Sequence, residues 1–215
     1  EGPSDGKLLI HGAGLNGLQK PLKPLYLGNS GTSIRLLSGL LVGQDFEVEL
    51  VGDASLSKRP MNRIATPLKR MGAYIETFAD GFPPVKIRGT GNLKSIDYDM
   101  PMASAQVKSS ILLASLYVNG ECSVTEPAPT RDHTERMLRE FGCDVTTEKS
   151  KIVIRGDKNL IGKCVEIPSD ISSAAFFMVA AAITPGSSVL LRNIGVNPTR
   201  VGVVNILRKI GERRV

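Results

Sequence analysis

Four short segments of the 215-residue sequence carry side chains suited to holding anions. The first is LGNSGTSIRLL, Leu27 to Leu37. Gly28 and Gly31 allow a sharp turn at a helix start, where free amides and the helix dipole attract negative charge. The same residues also read as an ordinary capped helix. No Lys follows the glycines as in a Walker loop, and no GxGxxG follows a strand. The second is GDASLSKRPMNR, Gly52 to Arg63. Pro60 suits a first helical turn and biases Arg59 toward extended backbone. That aims a guanidinium able to grip a carboxylate or phosphate through two parallel bonds; the alternative is a solvated basic turn. The third, MPMASAQVKSS, runs from Met100 to Ser110 and puts Ser104 and Gln106 at a helix start. There a hydroxyl can donate to a phosphate oxygen, and an amide can donate and accept; the alternative is an N-cap beside a surface Gln. The fourth is PTRDHTERML, Pro129 to Leu138. Thr130 is the expected cap and Asp132 suits the first turn. Arg131 sits at that same positive helix end, where a cation is disfavoured unless it meets an anion. His133 is a general base by type, although a lone helical His is more often solvated or structural.

These segments must be positioned by helices and strands, and the sequence repeats itself in a way that names them. PLKRMGAYI (Pro67 to Ile75), MLREFGCDV (Met137 to Val145) and ILRKIGERR (Ile206 to Arg214) share one helix ending. In each, a core-facing Leu (Leu68, Leu138, Leu207) precedes a Gly (Gly72, Gly142, Gly211) placed to supply a left-handed terminator. The glycines recur about every 70 residues. KIRG (Lys86 to Gly89) and VIRG (Val153 to Gly156) are strands on the same beat, and LLIHG (Leu8 to Gly12) reads as an earlier copy. Asn29 to Leu41, Met102 to Leu116 and Asp170 to Ile183 each run from small polar residues into an apolar helix. Strands Phe46 to Gly52, Glu121 to Pro127 and Ser187 to Gly195 follow them. Each unit therefore reads strand, helix, strand, helix, strand, strand. The expected class is α/β (α+β), built of repeated βαβαββ units. Such repeats can also serve as scaffold alone.

Composition bounds the rest. With 41% hydrophobic and 22% charged residues, the chain is an ordinary globular one rather than a disordered one. The net charge of +6 suits anionic small molecules and nucleic acid alike. The absence of Trp, with four Tyr, argues against a base-stacking nucleic-acid surface. The longest apolar run, Ala174 to Ile183, is too short to span a bilayer. Cys122, Cys143 and Cys164 form no CxxC pair, and two histidines offer no zinc cluster. Buried reduced thiols and a cytoplasmic setting are expected.

The repeat register places the chain's start at the last strand of one unit and its end after the second helix of another. A fragment or cleaved form of a longer polypeptide is the expectation. Leu27 to Gly156 would hold two whole units, with Asp157 to Lys163 as linker. Residues 1–163 are expected to form one substrate-binding lobe, and residues 164–215 the truncated start of a second.

Together, GNSGTSIR, GDASLSKRPM, MASAQVKSS and RDHTERML resemble the enolpyruvyl transferase family, in the branch acting on shikimate 3-phosphate. The resemblance covers essentially the whole chain, and GDASLSKRPM and RDHTERML are its specific motifs. It implies transfer of the enolpyruvyl group of phosphoenolpyruvate to the 5-hydroxyl of shikimate 3-phosphate, releasing phosphate, in aromatic amino-acid synthesis. It implies no metal or organic cofactor, a usually monomeric protein, and a two-lobe fold closing on its substrates. It puts Ser104, Ala105 (through its backbone), Gln106 and Arg131 at shikimate 3-phosphate, and Gly31, Arg59 and Gln106 at phosphoenolpyruvate. Gly31 also falls where the family meets the herbicide glyphosate, with Gly as in the sensitive form. The family's KSxSxR segment and the charged residues of its other lobe are not among these 215 residues. No catalytic residue is therefore assigned here, and the chain alone is expected to be inactive. Two rivals stand beside this reading. One is the sister transferase acting on UDP-N-acetylglucosamine, disfavoured because no Cys sits in a Gly-rich or basic loop. The other is a non-catalytic binding module on the same repeat.

Overall fold

The structure is a computed structural model, and it describes residues 6–79, 81–156 and 159–211. They group into two compact units that divide between Lys163 and Cys164. The first unit holds two copies of one supersecondary pattern. The first copy is β1 (Leu25–Tyr26), α1 (Gly31–Leu41), β2 (Glu47–Val51), a single 3-10 turn (Leu56–Lys58), α2 (Asn62–Arg70), β3 (Tyr74–Phe78) and β4 (Phe82–Arg88). The second is β5 (Asp97–Asp99), α3 (Ala105–Ser115), β6 (Glu121–Thr125), α4 (His133–Glu140), β7 (Asp144–Glu148) and β8 (Lys151–Arg155). The βαβαββ order expected from the sequence is thus present twice.

Both sheets have the same strand order, β1-β2-β4-β3 and β5-β6-β8-β7. The helix-linked pairs β1–β2 and β5–β6 are parallel, because a crossover helix returns the chain to the same direction. The remaining pairs are antiparallel. Val85 and Ile87 of β4 are buried while Lys86 and Arg88 are exposed, so one face of the sheet carries the core. Leu68 and Leu138 are buried under their helices, and Gly72 and Gly142 take φ of +90° and +86° just after them. These two glycines are the helix terminators the repeat implied.

The structure corrects the expectations for Leu8 to Gly12 and for Cys164. Leu8 to Gly12 form no strand. In the repeats this strand lies between its hairpin neighbour and the unit's second strand, and Leu8 to Gly12 join neither of the two four-stranded sheets. Cys122 and Cys143 are buried, but Cys164 is exposed. Residues 157 and 158 of the expected linker lie outside the described residues. Ile161, further along it, stays with the first unit, its amide bonded to the Phe141 carbonyl at 2.9 Å.

The second unit contains α5 (Ile171–Ile183) and α6 (Gly202–Gly211). Asp170 caps α5 by accepting from the Ser172 amide at 3.1 Å. The strand expected at Ser187 to Gly195 is reduced to one parallel bridge, Ser169 to Ile194. In the repeats that strand is flanked on both sides, whereas here it has one partner among the described residues. Gly211 is still helical rather than a terminator, and Glu212 to Arg214 lie outside the described residues.

Candidate functional site

Two helix starts meet in the first unit. Ser30 caps α1 by accepting from the Ser33 amide at 3.1 Å, and Ser104 caps α3 by accepting from the Val107 amide at 3.4 Å. Neither first turn contains an acidic residue. The second residue of each helix touches the other, with Gln106 Nε2 donating to Thr32 Oγ1 at 2.8 Å. Further along, Gly39 of α1 lies against Ser110 of α3, and a Cβ on Gly39 would fall inside contact distance of the Ser110 carbonyl oxygen. The helices therefore run side by side with their positive ends adjacent, an arrangement that favours an anion between them. Just past the other ends, Gln44 Nε2 donates to Tyr117 Oη at 2.7 Å and to the Leu15 carbonyl at 3.0 Å. Burial pushes the Tyr117 hydroxyl up to about 12, with the Gln44 bond opposing.

Guanidinium groups crowd the same end. Arg35 Nη1 donates to the Gly31 carbonyl at 3.2 Å and to Gln106 Oε1 at 2.6 Å, and its Nη2 donates to the Pro60 carbonyl at 3.2 Å. Arg59 is extended, at φ −93° and ψ 130°, as a residue before Pro should be. Helix α2 begins two residues after Pro60, and the expected polar loop holds the 3-10 turn. Arg59 donates to Asn29 Oδ1, and Asn29 Nδ2 donates to Asp53 Oδ2 at 2.9 Å. Asp53 also accepts from the Leu56 amide at 2.7 Å. That amide does most to hold the Asp53 carboxyl below its usual range; burial opposes it, and Asn29, the Ser55 amide and Arg59 add to it. Burial first, then the charges of Arg59 and Arg63, lower the pKa of Arg35. Concentrated, partly desolvated positive charge of this kind is relieved by a bound anion.

Gly31 lies between these groups. A Cβ there would sit 2.8 Å from Arg59 Nη1 and 2.9 Å from Arg35 Nη1. Gly31 is a helical residue without positive φ, so the position needs the missing side chain rather than the turn expected of it. Gly28, at φ +55°, makes the turn.

The structure thus brings Gly31, Arg59 and Gln106 together, with Ser104 and Ala105 leading into Gln106. Arg131 is exposed in the loop before α4, and no hydrogen bond or ion pair joins it to this cluster among the described residues. Thr130 does not cap α4, contrary to expectation. Its hydroxyl donates instead to Glu126 Oε1, and Asp132 is the residue at the N-cap. His133 is the exposed first residue of α4. Sequence reasoning passed over Arg35, Asn29 and Asp53. Arg35 had a signal, since it lies one helical turn after Gly31 on the same face. Among the described residues no group of three or more His, Cys, Asp or Glu is arranged to hold a metal. No helix there is long and apolar enough to cross a membrane.

Residues 4–214 of the chain, which include both βαβ crossovers and their paired helix starts, match the family model for EPSP synthase (3-phosphoshikimate 1-carboxyvinyltransferase). The chain belongs to this family. It is 61% identical over 211 residues to the 3-phosphoshikimate 1-carboxyvinyltransferase of Nitrosococcus oceani, covering 98% of this chain and 48% of that protein. It is 57% identical over 216 residues to the protein of the same name from Hydrogenovibrio crunogenus, again covering 98% of this chain and 48% of the relative. The 2.37 Å structure of EPSP synthase from Acinetobacter baumannii superposes with a TM-score of 0.91 at 61% identity, over 98% of this chain and 48% of that one. The chain spans about half the length of the relatives it matches.

Proposed function

We propose that the paired starts of α1 and α3 form the anion-holding wall of a cleft for shikimate 3-phosphate and phosphoenolpyruvate. The full-length protein then transfers the enolpyruvyl group to the 5-hydroxyl of shikimate 3-phosphate and releases phosphate. The observation that carries this reading is the contact network Gly31–Arg35–Gln106–Thr32, which gathers two helix N-termini and two guanidiniums at one place. Ser104, the Ala105 amide, Gln106 and Arg131 take shikimate 3-phosphate. Gly31, Arg59 and Gln106 take phosphoenolpyruvate.

Charge explains what these residues do. Both substrates are anions and repel each other, so amide dipoles and guanidiniums lower the cost of bringing them together. Protonation of the enol methylene leaves a cationic carbon, which the hydroxyl attacks. The hydroxyl loses its proton in that attack, and the tetrahedral intermediate then expels phosphate while the methyl group gives back a proton, which restores the enolpyruvyl double bond. The residues of this chain bind and orient, and the proton-transfer groups are assigned to the rest of the full-length enzyme. Orientation by itself contributes substantially to such a reaction.

Calorimetric titration of the chain with shikimate 3-phosphate tests the reading, with UDP-N-acetylglucosamine as control. Saturable binding of the first alone, without turnover, is expected. Binding of the sugar nucleotide, or of neither ligand, overturns the placement of the site on this chain.

A further inference from the structure

Lys108 is the fourth residue of α3 and its side chain is 1% exposed. Its Nζ lies 3.0 Å from Glu126 Oε2 and 2.6 Å from Glu135 Oε1, both carboxylates being buried as well. Glu135 Oε2 is buried without a hydrogen-bond partner among the described residues. The fourth residue of α1, in the matching place of the first repeat, is Ile34, which is fully buried in the core. The fold therefore accepts a plain apolar side chain at this position. Burying one ammonium with two carboxylates is expensive, and apolar residues of similar size often stabilise as well or better. Stability alone is a poor reason for the charged form.

The partners of Lys108 supply another reason. Glu126 follows β6 and accepts the Thr130 hydroxyl, closing a short loop whose next residue is Arg131. Glu135 lies in the first turn of α4, four residues beyond Arg131. Both flanks of Arg131 are thus tied to one ammonium in α3, and the first turn of α3 holds Ala105 and Gln106, capped by Ser104. Ser109 Oγ and Thr134 Oγ1, 2.7 Å apart, add a second link between α3 and α4.

We propose that Lys108 is a positioning residue, setting where Arg131 stands relative to the Ser104–Gln106 end of α3. The consequence for ligand affinity rests on the reading of those residues as the sugar-phosphate side. Lys108→Met alone strands two buried carboxylates and risks unfolding. The deciding variant is Lys108→Met/Glu126→Gln/Glu135→Met, which removes all three charges and keeps an oxygen for Thr130.

Backbone order parameters from nitrogen relaxation provide a readout independent of ligand. Ala128, Thr130, Arg131 and Asp132 should fall from about 0.85 to below about 0.6, with β6, β8 and the melting temperature unchanged. Affinity for shikimate 3-phosphate should weaken about tenfold or more, and adding Arg131→Ala should cost little further. Unchanged order in this loop overturns the proposal. So does a uniform loosening of the unit with a lower melting temperature, which would make Lys108 a stabilising residue only. If the unsubstituted chain fails to bind shikimate 3-phosphate, the functional reading falls, while the order parameters still decide the role of Lys108.

Discussion

Arg35 of α1 donates to Gln106 of α3 at 2.6 Å, and the same guanidinium also holds the Gly31 and Pro60 carbonyls. One side chain therefore joins three segments that the sequence keeps far apart. Arg35→Ala should release Gln106 and the Pro60 carbonyl from their present places. Hydrogen bonds to charged groups contribute about 1.5–3 kcal/mol, so affinity for shikimate 3-phosphate should weaken roughly 10- to 100-fold in calorimetry. Arg35→Lys should recover little, because an ammonium lacks the planar fork that spans these acceptors.

Gly31→Ala tests the packing of the two guanidiniums. The new methyl group would press on Arg59 and Arg35, whose flexible ends can move aside, so the fold should survive. A crystal structure should show both side chains displaced. In the full-length enzyme KM for phosphoenolpyruvate should rise, since misplacements of about 1 Å can cost on the order of 100-fold.

Arg59→Ala and Arg131→Ala separate the two ends of the proposed cleft. Both residues are at least partly exposed, and melting temperatures should barely change. Each substitution should weaken binding of its own anion by about tenfold or more. Affinity unaltered by both would falsify the assignment of these residues.

Gly39→Ala addresses the distance between the helices. Its methyl would collide with the Ser110 backbone, which cannot move aside as an arginine tip can. Overpacking typically costs about 1–3 kcal/mol, a fall of roughly 2–12 °C in melting temperature for a unit of this size. Substrate affinity should fall as well, because the same crossing keeps the two helix starts in register. A normal melt with normal binding would contradict this.

Tyr117 sets an alkaline limit. Its hydroxyl is pushed up to about 12 by burial, against about 10 in an unfolded chain. Between these values the folded protein keeps a proton that the unfolded chain has lost, so stability should fall as pH rises from about 10 to about 12. Denaturant melts across this range should show the decline in the wild type and a shallower one in Tyr117→Phe.

Much of this was legible in the sequence because it is local. Ser30, Ser104 and Asp170 cap the helices they precede, and Gly72 and Gly142 end α2 and α4, since caps and terminators act within one turn. Gly89 and Gly156 were read as strand ends. The structure supplies the reason: a Cβ at either would collide with carbonyl oxygens just beyond α1 or at the end of α3. Leu8 to Gly12 and Ser187 to Gly195 have the local pattern of strands, but strand pairing is a long-range property that local pattern does not set. Arg35 and Lys108 were missed for a related reason. Each lay inside a quoted motif, but its meaning depends on Gln106 and Pro60, or on Glu126 and Glu135, which only the folded chain brings near.

Thr32 and Gln106 lie 74 residues apart, and each is the second residue of the same helix in its own copy of the pattern. Their contact is the seam of a duplication. A single copy would offer one helix start; two copies set side by side bring a pair of them together. Had the copies stayed alike, the pair would grip only a ligand that looks the same from both sides. Thr32 against Gln106, and Arg35 against Ser109 one turn further on, break that equivalence. The paired helix starts thereby gain a left and a right, as the proposed binding of two different anions in one fixed orientation would require.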